Sequence, residues 1–436
     1  MENLTISSNT KIIIGRESEL LVGEEIKKYS NKILLHYGGG SIKKIGLYEK
    51  VVKSLKMNNI EFIELSGVIS NPRVSLVREG IKICKENDIS FILAIGGGSV
   101  IDSAKAIAIG VNNDEDIWDI FRNGKIKRDG LSLGVILTIA GSGSETSEAL
   151  VINNEENKEK RLLRHKSIAP KFSILNPELT FTVPMYQTQC GVADLIAHIL
   201  EIYFTPNARA DLADRLCEST IKSLIDNGEK LLDDKENYDA RLEILLGGIA
   251  AHSELLSVGR KGDFATHTIE HELSGLYDIT HGAGISIILP AWMKYVYKVD
   301  INRFVQLANR VWNIDINYDN LEETALRGIE ALKDFYKKIG LPTSLKEVYI
   351  DSSNFEYMAK RATKNGLCGN FVKLNKIPHT PNGKIDRKAL PLPEDNNENR
   401  EIILPRNEID EEIVKMVKRI LNVEKVSITD TILDLG

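Results

Sequence analysis

Asp194 and His198 stand four residues apart in an apolar stretch, GVADLIAHILEIY (191–203), and His267 and His271 repeat that spacing in HTIEH. Residues at i and i+4 share one face of a helix. His281 follows in THGAG, where the pattern starts a new helix. Only eight histidines occur in 436 residues, so this grouping carries information. A buried carboxylate is costly unless it is paired or bound to a metal. One Asp194 oxygen with the imidazoles of His198, His267 and His281 suits a divalent transition ion such as Fe2+ or Zn2+. His271, one turn from His267, fits a further ligand, a donor behind a ligand or a proton relay. His36, His165, His252 and His379 fall outside the pattern and read as incidental.

A second chemistry is written in glycine. Two GGGS runs, Gly38-Gly39-Gly40-Ser41 and Gly96-Gly97-Gly98-Ser99, each follow an apolar strand and open a helix. Glycine lets the backbone approach a phosphate, and a helix N-terminus offers free N–H groups and the positive end of a dipole. Neither run matches GxGxxG, so the ordinary dinucleotide fingerprint is absent. Asp102 and Lys105 lie just beyond the second loop, on one helix face; they read either as a surface ion pair or as two groups turned to the nicotinamide end of a cofactor. Thr138 and Ser142 sit at the C-terminal end of another strand, where open α/β sheets bind ligands.

The elements that must position these residues change character along the chain. Apolar runs at 32–37, 60–66, 89–95 and 133–139 alternate with helical stretches, which predicts a parallel sheet covered on both faces. From about Pro184 to about Asp351 the periodicity is helical. Residues 376–408 are proline-rich and aperiodic and read as an extended linker, and 409–423 as a short amphipathic helix. The expected organisation is an α/β cofactor domain at 1–184, an all-helical metal-binding domain at 185–375 and a tail at 376–436. Hydrophobic residues make up 42% and charged residues 27%, which excludes a disordered or fibrous chain. A net charge of −6 gives no reason to expect nucleic-acid binding. Cys84, Cys190, Cys217 and Cys368 are far apart with no CxxC pair, so neither a disulfide framework nor a cysteine zinc site is expected. No run of about 20 apolar residues predicts a membrane helix. The setting that fits this composition is cytoplasmic.

The segments GGGSVIDSAKAIA (96–108), GSGSE (141–145), 191–203 and DFATHTIEHELSGLYDITHGAGISIILP (263–290) resemble the iron-containing (group III) alcohol dehydrogenases. Within that family the chain looks most like the NADP(H)-linked butanol dehydrogenases and broad aldehyde reductases, over about residues 1–375. The resemblance implies a dehydroquinate-synthase-like architecture, with a parallel nucleotide-binding sheet and a helical domain. It implies metal ligands at Asp194, His198, His267 and His281. Cofactor contacts would come from Gly38, Gly39, Gly40, Ser41, Gly97, Gly98, Ser99, Asp102, Thr138, Ser142, Ser147 and Lys160. His271 and Asp102 would serve catalysis. Hydride would move between nicotinamide and a short- to medium-chain alcohol or aldehyde in a homodimer, with the site in the cleft between the domains. The first loop lacks the acid that repels a 2′-phosphate in NAD-specific relatives, so NADP(H) is favoured over NAD(H). Ser147 stands where the family often has Asn, Phe264 where it has Trp, and Asn176 where it has Asp. A glycerol-dehydrogenase-like reaction, or an inactive fusion remnant that docks onto a synthetase, are the alternatives.

The tail carries a second resemblance. KIPHTPNGKIDRKALP (376–391) looks like the last core motif of a nonribosomal-peptide-synthetase adenylation domain, with Lys384 at its lysine. The residues after it resemble the start of a peptidyl carrier domain, short of the phosphopantetheine serine. No adenylation body precedes the motif. The tail therefore reads as a fusion fragment without adenylation or carrier activity and without a functional partner.

Overall fold

The computed structural model describes residues 10–205, 210–258, 260 and 262–364. The tail, Lys384, Cys368 and His379 lie outside these residues. The described chain forms two units. The first holds the residues up to Phe264 with Leu273–Ser286 and Asp334–Pro342; the second holds Ala265–Glu272, Ile287–Lys333 and the described residues from Thr343 onward.

The first unit is built on a six-stranded parallel sheet of order β1-β8-β5-β4-β2-β3. Its strands are β1 (Lys11–Ile14), β2 (Lys32–Gly38), β3 (Glu61–Val68), β4 (Phe91–Gly96), β5 (Ser132–Leu137) and β8 (Phe172–Leu175). An antiparallel hairpin, β6 (Ala149–Asn154) with β7 (Glu159–Arg164), stands apart from it. The helices of this unit are α1 (Val22–Lys27), α2 (Ser41–Lys44), α3 (Leu47–Met57), α4 (Val74–Glu86), α5 (Gly98–Asn112), α6 (Ile117–Asn123), α7 (Met185–Tyr203), α8 (Asp211–Asp233) and α9 (Tyr238–Ala251). Then come α10 (Ala265–Tyr277), α11 (His281–Val296), α12 (Ile301–Trp312), α13 (Leu321–Lys338) and α14 (Phe355–Lys364).

The four predicted strands are β2 to β5. Every residue of β4, FILAIG, is buried, as a strand covered on both faces must be. Phe91 of β4 stacks on Phe172 of β8, with ring centroids 6.1 Å apart, in a core that also holds Ile33, Leu35, Leu93 and Ile136. α5 is buried on nearly all sides, because Ser103, Ala104, Ala106 and Ala108 let it approach its neighbours closely. His36 of β2 lies wholly inside, with Nδ1 2.9 Å from the Leu65 carbonyl and Nε2 2.9 Å from Ser103 Oγ; burial holds it neutral, its pKa down to about 4.

Chain direction fixes where a ligand can sit. The connection from β2 runs outward to β3, and the next returns past β2 to β4. The order thus reverses between β2 and β4, and ligands of open sheets bind at the carboxyl ends of strands flanking such a switch point. Gly38–Ser41 ends β2 and Gly97–Ser99 follows β4, so both glycine loops stand at that edge.

In the second unit α12 is strongly amphipathic, burying Phe304, Val305, Leu307, Ala308 and Val311 at helical spacing. Arg361 Nε pairs with Glu272 at 2.8 Å, tying α14 to the middle of α10.

Candidate active site

Asp194 and His198 occupy successive turns of α7, and Asp194 is buried. Asp194 Oδ1 lies 3.5 Å from His198 Nε2 and 3.5 Å from Nε2 of His281, the first residue of α11. Gly282 explains that approach: a Cβ there would lie 2.1 Å from the Cys190 carbonyl oxygen, so only glycine lets the start of α11 meet α7. Donor atoms held about 2.0–2.2 Å from one tetrahedral ion are themselves about 3.3–3.6 Å apart. The three atoms have the spacing and the chemistry of a metal's ligands, and a hydrogen-bonded pair would sit closer. Lys160 of β7 reaches the far side of His281, with Nζ 3.5 Å from Nδ1, and donates to Asn71 Oδ1 at 3.3 Å.

His267 and His271 lie one turn apart on α10, their rings edge to face with centroids 6.4 Å apart. They are among the residues of the second unit. Phe264, just before α10, adopts a left-handed backbone (φ 51°), and its ring meets His198 edge-on at 6.3 Å.

At the other predicted centre, α5 opens at Gly98 directly after β4, with Ser99 in its first turn. Thr138 follows β5 and donates its N–H to the Gly96 carbonyl at 3.0 Å. The loop from Ser142 to Ala149 closes over α5. The surface-pair reading of Lys105 does not hold: fully buried, it donates to the carbonyls of Ser144, Ser147 and Ala149 at 2.7–2.8 Å. Burial pulls its pKa down to about 8. Asp102 is buried too, and accepts from Ser144 Oγ and, at 2.9 Å, from the Val151 N–H. Burial pushes its pKa up, against the nearby Lys105 charge.

Glu145 completes this bracket. It is buried, its Oε1 has no hydrogen-bond partner among the described residues, and burial pushes its pKa up to about 7 from an ordinary 4.5. Between about 4.5 and about 7 the unfolded chain has lost this proton while the folded one keeps it. Stability should therefore fall as pH rises through that window, and level off above it. Glu145→Gln removes the component. In urea titrations the variant should gain on the parent from acid to neutral pH; a constant difference would refute the assignment.

One residue read as incidental stands beside the site. His252, at the C-terminal end of α9, packs edge to face on His198, with ring centroids 4.4 Å apart. Nothing in the spacing of His252, 54 positions from His198, signals that meeting.

Family models match most of the described chain: iron-containing alcohol dehydrogenase over residues 9–177, and the C-terminal part of the Fe-containing alcohol dehydrogenase family over 188–377. The chain belongs to the iron-containing alcohol dehydrogenase family and is an oxidoreductase that acts on CH–OH groups with a nicotinamide cofactor. It is 43% identical over 376 residues to the probable NADH-dependent butanol dehydrogenase 1 of Bacillus subtilis, covering 86% of this chain and 97% of that one. It is 32% identical to the NADPH-dependent aldehyde reductase YqhD of Escherichia coli, covering 84% and 94%. The crystal structure of NADH-dependent butanol dehydrogenase A from Thermotoga maritima matches with a TM-score of 0.81 at 40% identity, over 84% of this chain and 92% of that one.

Proposed function

We propose that this chain interconverts short- to medium-chain aldehydes and alcohols, with the metal held by Asp194, His198, His267 and His281. The observation that carries the reading is the pair of 3.5 Å separations from Asp194 Oδ1 to the Nε2 atoms of His198 and His281. Bound there, Fe2+ or Zn2+ supplies Lewis acidity to the substrate oxygen. The GGGS loops bind the coenzyme: Gly38, Gly39, Gly40 and Ser41 on the adenosine side, and Gly97, Gly98 and Ser99 at the pyrophosphate. Thr138, Ser142, Ser147 and Lys160 line the nicotinamide side. Asp102 works from behind, since its oxygens already hold Ser144 and Val151. His271 relays the proton. The enzyme works as a cytoplasmic homodimer, and residues 376–436 add neither activity nor a functional partner.

The coenzyme preference rests on the first loop, which has no acid and so admits NADP(H). The names of relatives at 41–43% identity weigh towards NADH. The test is butanal reduction, followed by the loss of nicotinamide absorbance, on protein loaded with Fe2+ or Zn2+ without oxygen, beside a metal-stripped control. Metal-dependent turnover with NADPH is expected. Turnover that survives stripping would overturn the metal reading. A kcat/KM with NADH equal to or above that with NADPH would remove the NADP(H) preference and leave the reaction standing.

A further inference from the structure

We infer that His252 is a positioning residue that ties the coenzyme loop to the metal-ligand candidate His198; the inference rests on the metal reading above. Two contacts of one imidazole carry it. On one side Nε2 lies 2.7 Å from the Ser142 carbonyl oxygen. A carbonyl only accepts, so Nε2 carries the hydrogen and donates. The loop is shaped to receive the ring. Gly143 adopts φ +60°, and a Cβ there would lie 2.0 Å from His252 Cδ2, so the imidazole occupies the space a side chain would need. Ser142, anchored through its carbonyl, keeps its Oγ against Gly98 at the start of α5. On the other side the ring meets His198 edge to face at 4.4 Å.

Each contact fixes a different thing. The ring edge limits rotation of the His198 imidazole and keeps its Nε2 turned to Asp194. Groups that orient a metal-binding imidazole are worth roughly 10–100-fold in metal affinity. The donated hydrogen bond holds Ser142 over the α5 N-terminus, where the coenzyme is proposed to sit. The two roles reside in different parts of the side chain and can be separated.

His252→Gln keeps a donor at similar reach and loses the ring. His252→Phe keeps the ring and loses the donor. Metal affinity is read on stripped protein by competition with a chelator for Zn2+, and coenzyme affinity by nicotinamide fluorescence. His252→Gln should weaken Zn2+ about tenfold and leave coenzyme affinity within about threefold, and His252→Phe should do the reverse. Urea midpoints of both variants report whether folding changed. If both variants alter both affinities equally, or neither, or only the urea midpoint, the positioning role is overturned. His198→Ala separates the two readings. If it holds Zn2+ as tightly as the parent, the metal reading fails and this inference with it. If it loses Zn2+ while His252→Gln does not, only this inference fails.

Discussion

Asp194→Asn protein, stripped and reloaded without oxygen, is expected to bind its metal more than about 100-fold more weakly than the parent, and to lose aldehyde reduction with it. The substitution preserves the shape of the side chain and removes the charge. Oδ1 lies 3.5 Å from the Nε2 atoms of both His198 and His281, and Asp194 brings the one negative charge of the proposed ligand set, so this change removes charge as well as a ligand. A second readout distinguishes loss of a ligand from loss of the fold. The amide keeps the shape and volume of the carboxylate, so the side chain still fills its buried place in α7. Metal-free Asp194→Asn should therefore unfold at a urea concentration close to that of the metal-free parent. Full metal stoichiometry in the variant would remove Asp194 from the ligand set. A collapse of the urea midpoint would assign it a structural role instead.

Lys105→Met is expected to lower unfolding stability by about 3–5 kcal/mol, the range for removing one partner from a buried charged network. Methionine fills most of the volume, so the loss is not a cavity effect. Three carbonyls, of Ser144, Ser147 and Ala149, lose their donor inside the protein, each at a cost of about 1–3 kcal/mol if nothing replaces it. Asp102 and Glu145 lose the positive charge that opposes the upward push of burial on their pKa values, and both become harder to ionise. The loop these groups anchor also carries Ser142, so coenzyme KM should rise in step. The check is a urea titration of the metal-free protein alongside coenzyme binding. A midpoint unchanged from the parent would mean that water or a rearranged loop satisfies those carbonyls.

The parts of the fold that were legible in the sequence are those where one physical pattern runs long enough to be counted. β2 to β5 are continuous apolar strands bounded by glycine or polar turns, and α7 keeps its period over nineteen residues. β1 and β8 have four residues each, too few for a period, and each makes sense only with its partner in place. The hairpin of β6 and β7 hides differently: its second strand, EKRLLR, is mostly charged and only half-buried. The surface-pair reading of Lys105 fails because a lysine three residues from an aspartate looks like a solvated pair. The clue lay in the alanines and serine around it, which mark a helix packed on most of its sides. In the candidate site, the relations carried by spacing on a single helix were readable, Asp194 with His198 and His267 with His271. Contacts across elements were not: neither His281 beside Lys160 nor His252 beside His198 follows from any local rule. Asn176 shows such a contact explaining a departure from the family's usual residue. Its amide donates at 2.9 Å to Glu19, which is wholly buried, and an aspartate there would bring a second negative charge instead.

The pairing of β1 with β8 sets a schedule for the chain as it is made. Lys11–Ile14 leaves the ribosome before the other strands of the described residues, yet its partner in the register is Phe172–Leu175, about 160 residues later. Closing so long a loop is entropically expensive and gives nothing back until both ends are present. The central strands β2, β3 and β4 are near one another in sequence and can pair while synthesis continues. β1 must wait with its backbone groups unpaired until β8 has docked on β5. At synthesis rates of about 5–20 residues per second, that interval lasts roughly 8–30 s. During it an apolar strand is open to pairing with another nascent chain. A strand made early is thus placed late, and the yield of folded enzyme should depend on how well β1 is shielded until then.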